Sequence, residues 1–104
     1  MSEEKKVSDL YKDALNRLEV LSADPETDDA VRDEANKKIP GLRTKVQGAA
    51  LDNIVSRSVN LQTFMNDLQA VIAKAGHADV AGQVAGLQGL VTQAKGMLDM
   101  IKGS

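Results

Sequence analysis

Apolar residues recur at spacings of three and four along most of the 104-residue chain, and this period is that of one face of an α-helix. The first such repeat runs through Val7, Tyr11, Ala14, Leu18 and Leu21. No stretch alternates between apolar and polar residues as a half-buried β-strand does. The pattern therefore predicts an all-α fold in a single domain, residues 1–104, with helices over 4–22, 25–38, 41–75 and 79–102.

Proline and small polar residues set the expected helix boundaries. Asp24 and Pro25 suit the start of the second helix, because Asp is a good N-cap and Pro is tolerated in the first turn. Pro40, followed by a glycine, predicts the end of that helix near residue 38, since the residue before a proline avoids helical geometry. The third helix, 41–75, allows a kink or a break near 56–60, where serine and asparagine can cap a helix.

The C-terminal half predicts a helical hairpin. Heptad-like apolar repeats cover residues 51–75 and 80–101, and the few residues between them leave the second helix little choice but to fold back on the first. We expect an antiparallel three- or four-helix bundle that ends in this long hairpin. The first two helices would cover the flank of the hairpin, where Val55, Phe64 and Val71 lie beside the main repeat.

Charge is distributed unevenly along the chain. Residues 1–34 hold eleven acids and five bases, a net charge of −6, whereas residues 35–74 hold six bases and two acids, a net charge of +4. Residues 1–57 contain 22 charged residues and residues 58–104 contain six. Because an exposed helix normally carries charge on its outer face, the low charge of the second half predicts extensive burial, within the chain or against another molecule.

Small residues concentrate on one side of the last predicted helix. A glycine in a helix interior costs about 0.8–1 kcal/mol relative to alanine, so several together call for a compensating contact. Absent side chains let two helices approach closely, and the approaching helix is either another chain or the first helix of the same chain. We expect a non-enzymatic protein–protein interaction module, such as an adaptor, inhibitor or assembly subunit, that uses this face, composed of Gly82, Ala85, Gly86, Gly89, Gln93, Gly96, Met97 and Met100.

The remaining composition offers little chemistry. The chain has no cysteine, one histidine, one tyrosine, one phenylalanine and no tryptophan, and no phosphate-binding glycine motif occurs. We therefore expect no catalytic residues, no metal and no cofactor. A protein partner or self-association is the expected mode of action, and we do not expect nucleic acid, membrane or a small-molecule substrate as a ligand. With no apolar leader at its N-terminus, the chain is expected to be cytoplasmic.

Two alternative functions stay open at this point. Basic residues flank Pro40 and give the region a local positive charge, which is one requirement of a nucleic-acid-binding regulator. The single histidine, His77, would be the acceptor if the chain were a helical phosphotransfer module. Its predicted position in a turn differs from the exposed mid-helix position that such modules use.

Overall fold

The computed structural model describes residues 6–48, 51, 53–75, 82 and 84–103. These residues form four α-helices and contain no β-strand, so the predicted all-α bundle is confirmed. The helices, in chain order, are α1 (Val7–Ala23), α2 (Asp29–Gly48), α3 (Arg57–Ala75) and α4 (Ala85–Gly103). Helices α1 and α2 pack on each other, α3 and α4 form the hairpin, and contacts of α1 and α2 with the hairpin close the bundle.

The apolar repeats line one continuous core. In α1, every member of the predicted repeat is buried, and Leu10 joins it. In the hairpin, the buried residues include Leu61, Leu68 and Leu87 from the predicted repeats. Phe64 and Val71 are buried as well, and the ring of Phe64 packs against Tyr11 with centroids 4.9 Å apart. The first two helices thus cover the hairpin's flank at these two positions, as the sequence predicts.

The connection between α1 and α2 lies later in the chain than predicted. Asp24 ends α1, since its N–H donates to the carbonyl oxygen of Val20 at 3.0 Å, and its carboxylate accepts the N–H of Glu26 at 2.9 Å. Arg32 then clamps the turn by donating to the carbonyl oxygens of Asp24 and Thr27 at 2.9 and 3.0 Å. Pro25 therefore lies in a turn, and the prediction that it opens the second helix at residue 25 was wrong.

Pro40 does not end a helix. It lies inside α2, which continues to Gly48, and the hydroxyl of Thr44 donates to the carbonyl oxygen of Pro40 at 3.0 Å. The predicted boundary near residue 38 was therefore wrong. Ile39 and Leu42 on either side of the proline are both buried. Burial of apolar side chains on both flanks offsets the lost backbone hydrogen bond and keeps the helix in one piece.

The break in the predicted helix 41–75 falls between Gly48 at the end of α2 and Arg57 at the start of α3, so it precedes most of the expected 56–60 interval. The N–H of Ser56 donates to the carbonyl oxygen of Asn53 at 3.1 Å, and that of Val55 donates to the Asn53 side chain at 2.9 Å. This turn leads directly into α3. Asn60 is buried and its side-chain amide donates to the carbonyl oxygen of Leu51 at 3.4 Å, so it holds the turn from within the helix and is not a cap.

The last helix is shorter at its N-terminal end than the predicted 79–102. It begins at Ala85, and residue 82, which precedes it, is a glycine with φ +65°, a left-handed conformation that glycine adopts without strain. The predicted turn containing His77 lies outside the described residues, as do residues 4 and 5 of the predicted first helix.

Candidate protein-interaction surface

Most of the predicted interaction face lies on the outer side of α4, away from the core. Leu87, Leu90, Ala94 and Leu98 turn inward and are buried. On the opposite side, the exposed residues recur at spacings of three and four. We call this set the α4 outer face; its members, all exposed, are Ala85, Gly89, Gln93, Gly96 and Met100.

Three further residues of the predicted face have different surroundings. Gly82 is exposed but precedes the helix. Met97 is half-buried and packs against the core. Gly86 is also half-buried, and a Cβ built on it would collide with the guanidinium group of Arg17 on α1. The glycine at position 86 is therefore accounted for by packing within the chain.

The two central glycines of the α4 outer face have no such account within the chain. A Cβ built on Gly89 or on Gly96 meets nothing within 4 Å. At each position glycine destabilises the helix by about 0.8–1 kcal/mol relative to alanine, and no close contact among the described residues offsets this cost. Met100, at the C-terminal end of the same face, leaves 71% of its surface exposed.

Among the basic residues around Pro40, Lys37, Lys38 and Arg43 lie near acids from three helices. Lys38 lies 3.4 Å from a carboxylate oxygen of Glu34 and 4.0 Å from one of Asp67. Arg43 donates to Glu19 on α1 at 2.9 Å. These pairs join α2 to α1 and α3 and cancel much of the local positive charge.

A buried polar cluster occupies the centre of the bundle. The Tyr11 hydroxyl donates to the carbonyl oxygen of Asn60 at 2.9 Å, and only 1% of Tyr11 is exposed. Burial, aided by the negative charge of Asp67, raises the pKa of Tyr11 to about 12. Burial also raises the pKa of Asp67, against the opposing effect of Lys38 and Lys45. The Tyr11–Asn60 hydrogen bond joins α1 to α3, and the Asn60–Leu51 hydrogen bond joins α3 to the turn before it.

An exposed apolar surface that the sequence did not predict lies at the start of α3. Ile54, Val55 and Val59 expose 83%, 89% and 63% of their surfaces. The apolar repeat predicted over 51–75 includes Ile54, and Val55 was predicted to lie on a flank covered by α1 and α2. Both side chains are exposed, so both predictions were wrong. The reason is the turn over 53–56, which rotates these side chains away from the bundle before α3 begins. We call Ile54, Val55 and Val59 the apolar turn.

Two other kinds of site do not occur in the part of the chain that the structure describes. No group of three histidine, cysteine, aspartate or glutamate side chains could hold a metal ion there. No helix there has the length and apolarity needed to cross a membrane.

Comparison with known proteins adds no relative to this picture. No family model matches the chain, and no curated protein or solved structure matches it either.

Proposed function

We propose that the protein is a non-enzymatic helical interaction module whose α4 outer face packs against a helix of another protein chain. The observation that carries the proposal is the open space around Gly89 and Gly96. Two glycines in the middle of an exposed helix face cost about 1.6–2 kcal/mol together, and close approach of a partner backbone would offset that cost through dispersion contacts.

The rest of the face suits a helical partner. The exposed members recur with the period of a helix contact seam, and the described part of α4 carries no charge before Lys95, so a partner would not have to desolvate charged groups along the first half of the face. Met100 adds a flexible apolar side chain that adapts to irregular surfaces. In this proposal the chain works by packing alone, as an adaptor, inhibitor or assembly subunit, and cytoplasmic localisation stays a prediction.

The experiment that tests the proposal fills the two open positions with bulk. The Gly89→Leu/Gly96→Leu variant should keep its fold, because both positions face open space, but it should hold a partner helix away. The matched control is Gly41→Leu on α2, where a Cβ also meets nothing within 4 Å. The assay compares proteins captured from a lysate by each immobilised chain, together with the mass of each chain by light scattering.

The expected result is loss of one captured protein, or of a self-associated species, with the double variant only. The affinity of the double variant for that partner should be about a hundredfold or more below that of the wild type, because the leucine side chains are forced into a close-packed contact. Identical capture and identical mass for the wild type, the double variant and the control would refute the proposal.

The basic region near Pro40 supports a second function less well. Its pairing with Glu19, Glu34 and Asp67 leaves few positive charges to release counterions from a nucleic acid. Phosphotransfer through His77 rests on a residue outside the described ones, and a radiolabelled phosphate assay on His77→Ala would test it directly.

A further inference from the structure

An open pocket of about 570 Å³ lies between the C-terminal half of α2 and the start of α3. Pockets that hold small molecules usually measure about 300–1,000 Å³ and combine mostly apolar walls with a few polar groups that fix the ligand. This pocket has the same size and the same mixture of apolar and polar groups. Its lining residues are Gly41, Thr44, Lys45, Gly48, Leu51, Ser56 and Asn60.

The pocket exists because two glycines stand on the face of α2 that lines it. Gly41 and Gly48 are about two helical turns apart, and a Cβ built on either meets nothing within 4 Å. Thr44 lies between them on the same face, and its hydroxyl donates to the carbonyl oxygen of Pro40 at 3.0 Å. With no side chain at positions 41 and 48, the space between α2 and the start of α3 stays open.

Asn60 of α3 supplies a buried hydrogen-bond acceptor to the pocket. Only 7% of its surface is exposed. Its amide nitrogen donates to the carbonyl oxygen of Leu51 at 3.4 Å, whereas its amide oxygen accepts no hydrogen bond from the described residues. Among those residues, the Thr27 hydroxyl is the one fully buried side-chain group without a partner, so the Asn60 oxygen is not sealed in the core and the pocket is the open space beside it. Because buried acceptors normally have a partner, this oxygen is a binding point for a donor on a ligand.

Lys45 of α2 supplies a positive charge to the same pocket. Its side chain is exposed and forms no hydrogen bond or close ion pair with the described residues, whereas Lys38 lies beside Glu34 and Asp67. The charge of Lys45 reaches Asp67 only as a longer-range effect that opposes the rise in the pKa of that carboxyl. No acidic residue is among the described residues that line the pocket, so the pocket favours an anion.

We propose that this pocket binds a small organic anion with one carboxylate, a hydroxyl group and an apolar body, which is the chemistry of a hydroxy acid. Lys45 donates to the carboxylate, the ligand hydroxyl donates to the Asn60 amide oxygen, and the apolar body packs on Leu51. One lysine balances one carboxylate, whereas a phosphate ester would bring close to two negative charges. The inference is independent of the proposed function, because no residue of α4 lines the pocket.

The test is a titration of the isotope-labelled full chain with lactate and with mandelate, two hydroxy acids whose apolar bodies differ in size, followed by two-dimensional NMR. At least one of them should shift the side-chain amide signal of Asn60 and the backbone signals of Gly41 and Gly48 until the shifts saturate. The dissociation constant should be about 1–10 mM, as for a ligand of a few to about ten non-hydrogen atoms.

Matched comparisons separate the two polar contacts. Propionate and phenylacetate keep the carboxylate and the apolar body of these acids but lack the hydroxyl, so each should bind about three- to tenfold more weakly than its hydroxy acid. Lys45→Gln removes the positive charge and should weaken binding by about fivefold to tenfold. Lys37→Gln is the matched control, because Lys37 is also an exposed lysine of α2 but lies outside the pocket lining, and it should leave binding unchanged.

A third variant tests the place of binding. Gly48→Leu puts a side chain into the open space of the pocket and should abolish the saturable shifts, while the circular dichroism of the variant shows that the fold is kept. The proposal is overturned if neither acid produces saturable shifts at these residues up to about 50 mM, well above the expected dissociation constant. Equal binding by Lys45→Gln and the wild type, or equal binding of the acids with and without the hydroxyl, would overturn it as well.

Discussion

Alanine at positions 89 and 96 should stabilise the isolated chain. Both residues lie inside α4, and a Cβ at either position meets nothing within 4 Å. The change removes backbone freedom from the unfolded chain without creating a clash in the folded one. Each substitution should therefore raise the free energy of unfolding by about 0.8–1 kcal/mol, and the pair by about 1.6–2 kcal/mol. At the midpoint this corresponds to a rise in Tm of roughly 6–16 °C.

The assay is urea and thermal unfolding followed by far-ultraviolet circular dichroism, at a concentration where the chain is monomeric. Gly41→Ala on α2 is the control for helix propensity alone, because position 41 is equally open, and it should give the increment of one site. Gly86→Ala should gain less, since its Cβ has to displace the Arg17 guanidinium. If Gly89→Ala/Gly96→Ala leaves the free energy of unfolding unchanged or lowers it, some part of the chain already uses these glycines, and the reasoning behind the interaction face fails.

The buried polar groups give two further expected outcomes. Tyr11 is the only tyrosine, so its phenolate absorbance should titrate near pH 12 in the folded chain and near pH 10 in urea. Because this pKa is raised on folding, the stability contribution of Tyr11 is complete below pH 10 and is lost as the pH rises towards 12. Burial is the main cause of the shift and the charge of Asp67 the smaller one, so Asp67→Asn should lower the folded pKa of Tyr11 only in part; an unchanged titration would contradict the contribution of Asp67. The Thr27 hydroxyl is buried with no hydrogen-bond partner among the described residues, so Thr27→Val should raise the free energy of unfolding by about 1 kcal/mol; a loss of stability in urea unfolding would show that the hydroxyl has a partner.

Helix content and most of the core follow from the spacing of apolar residues, whereas helix boundaries do not. The α1 repeat from Val7 to Leu21 could be assigned from its period, and every predicted member is buried. Pro40 shows the limit of local rules. A proline disfavours helix in any short peptide, and only burial of Ile39 and Leu42 against other helices makes a continuous α2 the better state, which is information that a short sequence window does not hold.

The exposure of the apolar turn was mispredicted for the same reason as the helix boundary at Pro40, because local sequence rules do not include tertiary contacts. Ile54 continues a helical repeat that begins at Leu51, so periodicity places it on the core side of a continuous helix. The turn at Asn53 breaks the register, and Leu51 is buried while Ile54 is exposed. A signal for this break exists in the sequence, because asparagine accepts hydrogen bonds from the backbone two residues on and favours turns. This signal competes with a strong apolar period, and the hydrogen bonds of Asn60 with Tyr11 and Leu51 favour the turn.

The glycines of α4 separate into two groups that the sequence pattern treats as one. At Gly86 the guanidinium group of Arg17, the end of a flexible side chain, occupies the space that a Cβ would take, whereas Gly89 and Gly96 face open space. The helix-propensity cost that no contact among the described residues offsets is thus that of two glycines, about 1.6–2 kcal/mol. Because the total stability of a domain of this kind is about 5–15 kcal/mol, the chain would stay folded without a partner despite the cost of these glycines. The argument for a partner therefore rests on position: both uncompensated glycines occupy the centre of one exposed helix face, flanked by Ala85 and Met100, where a second helix could approach closely.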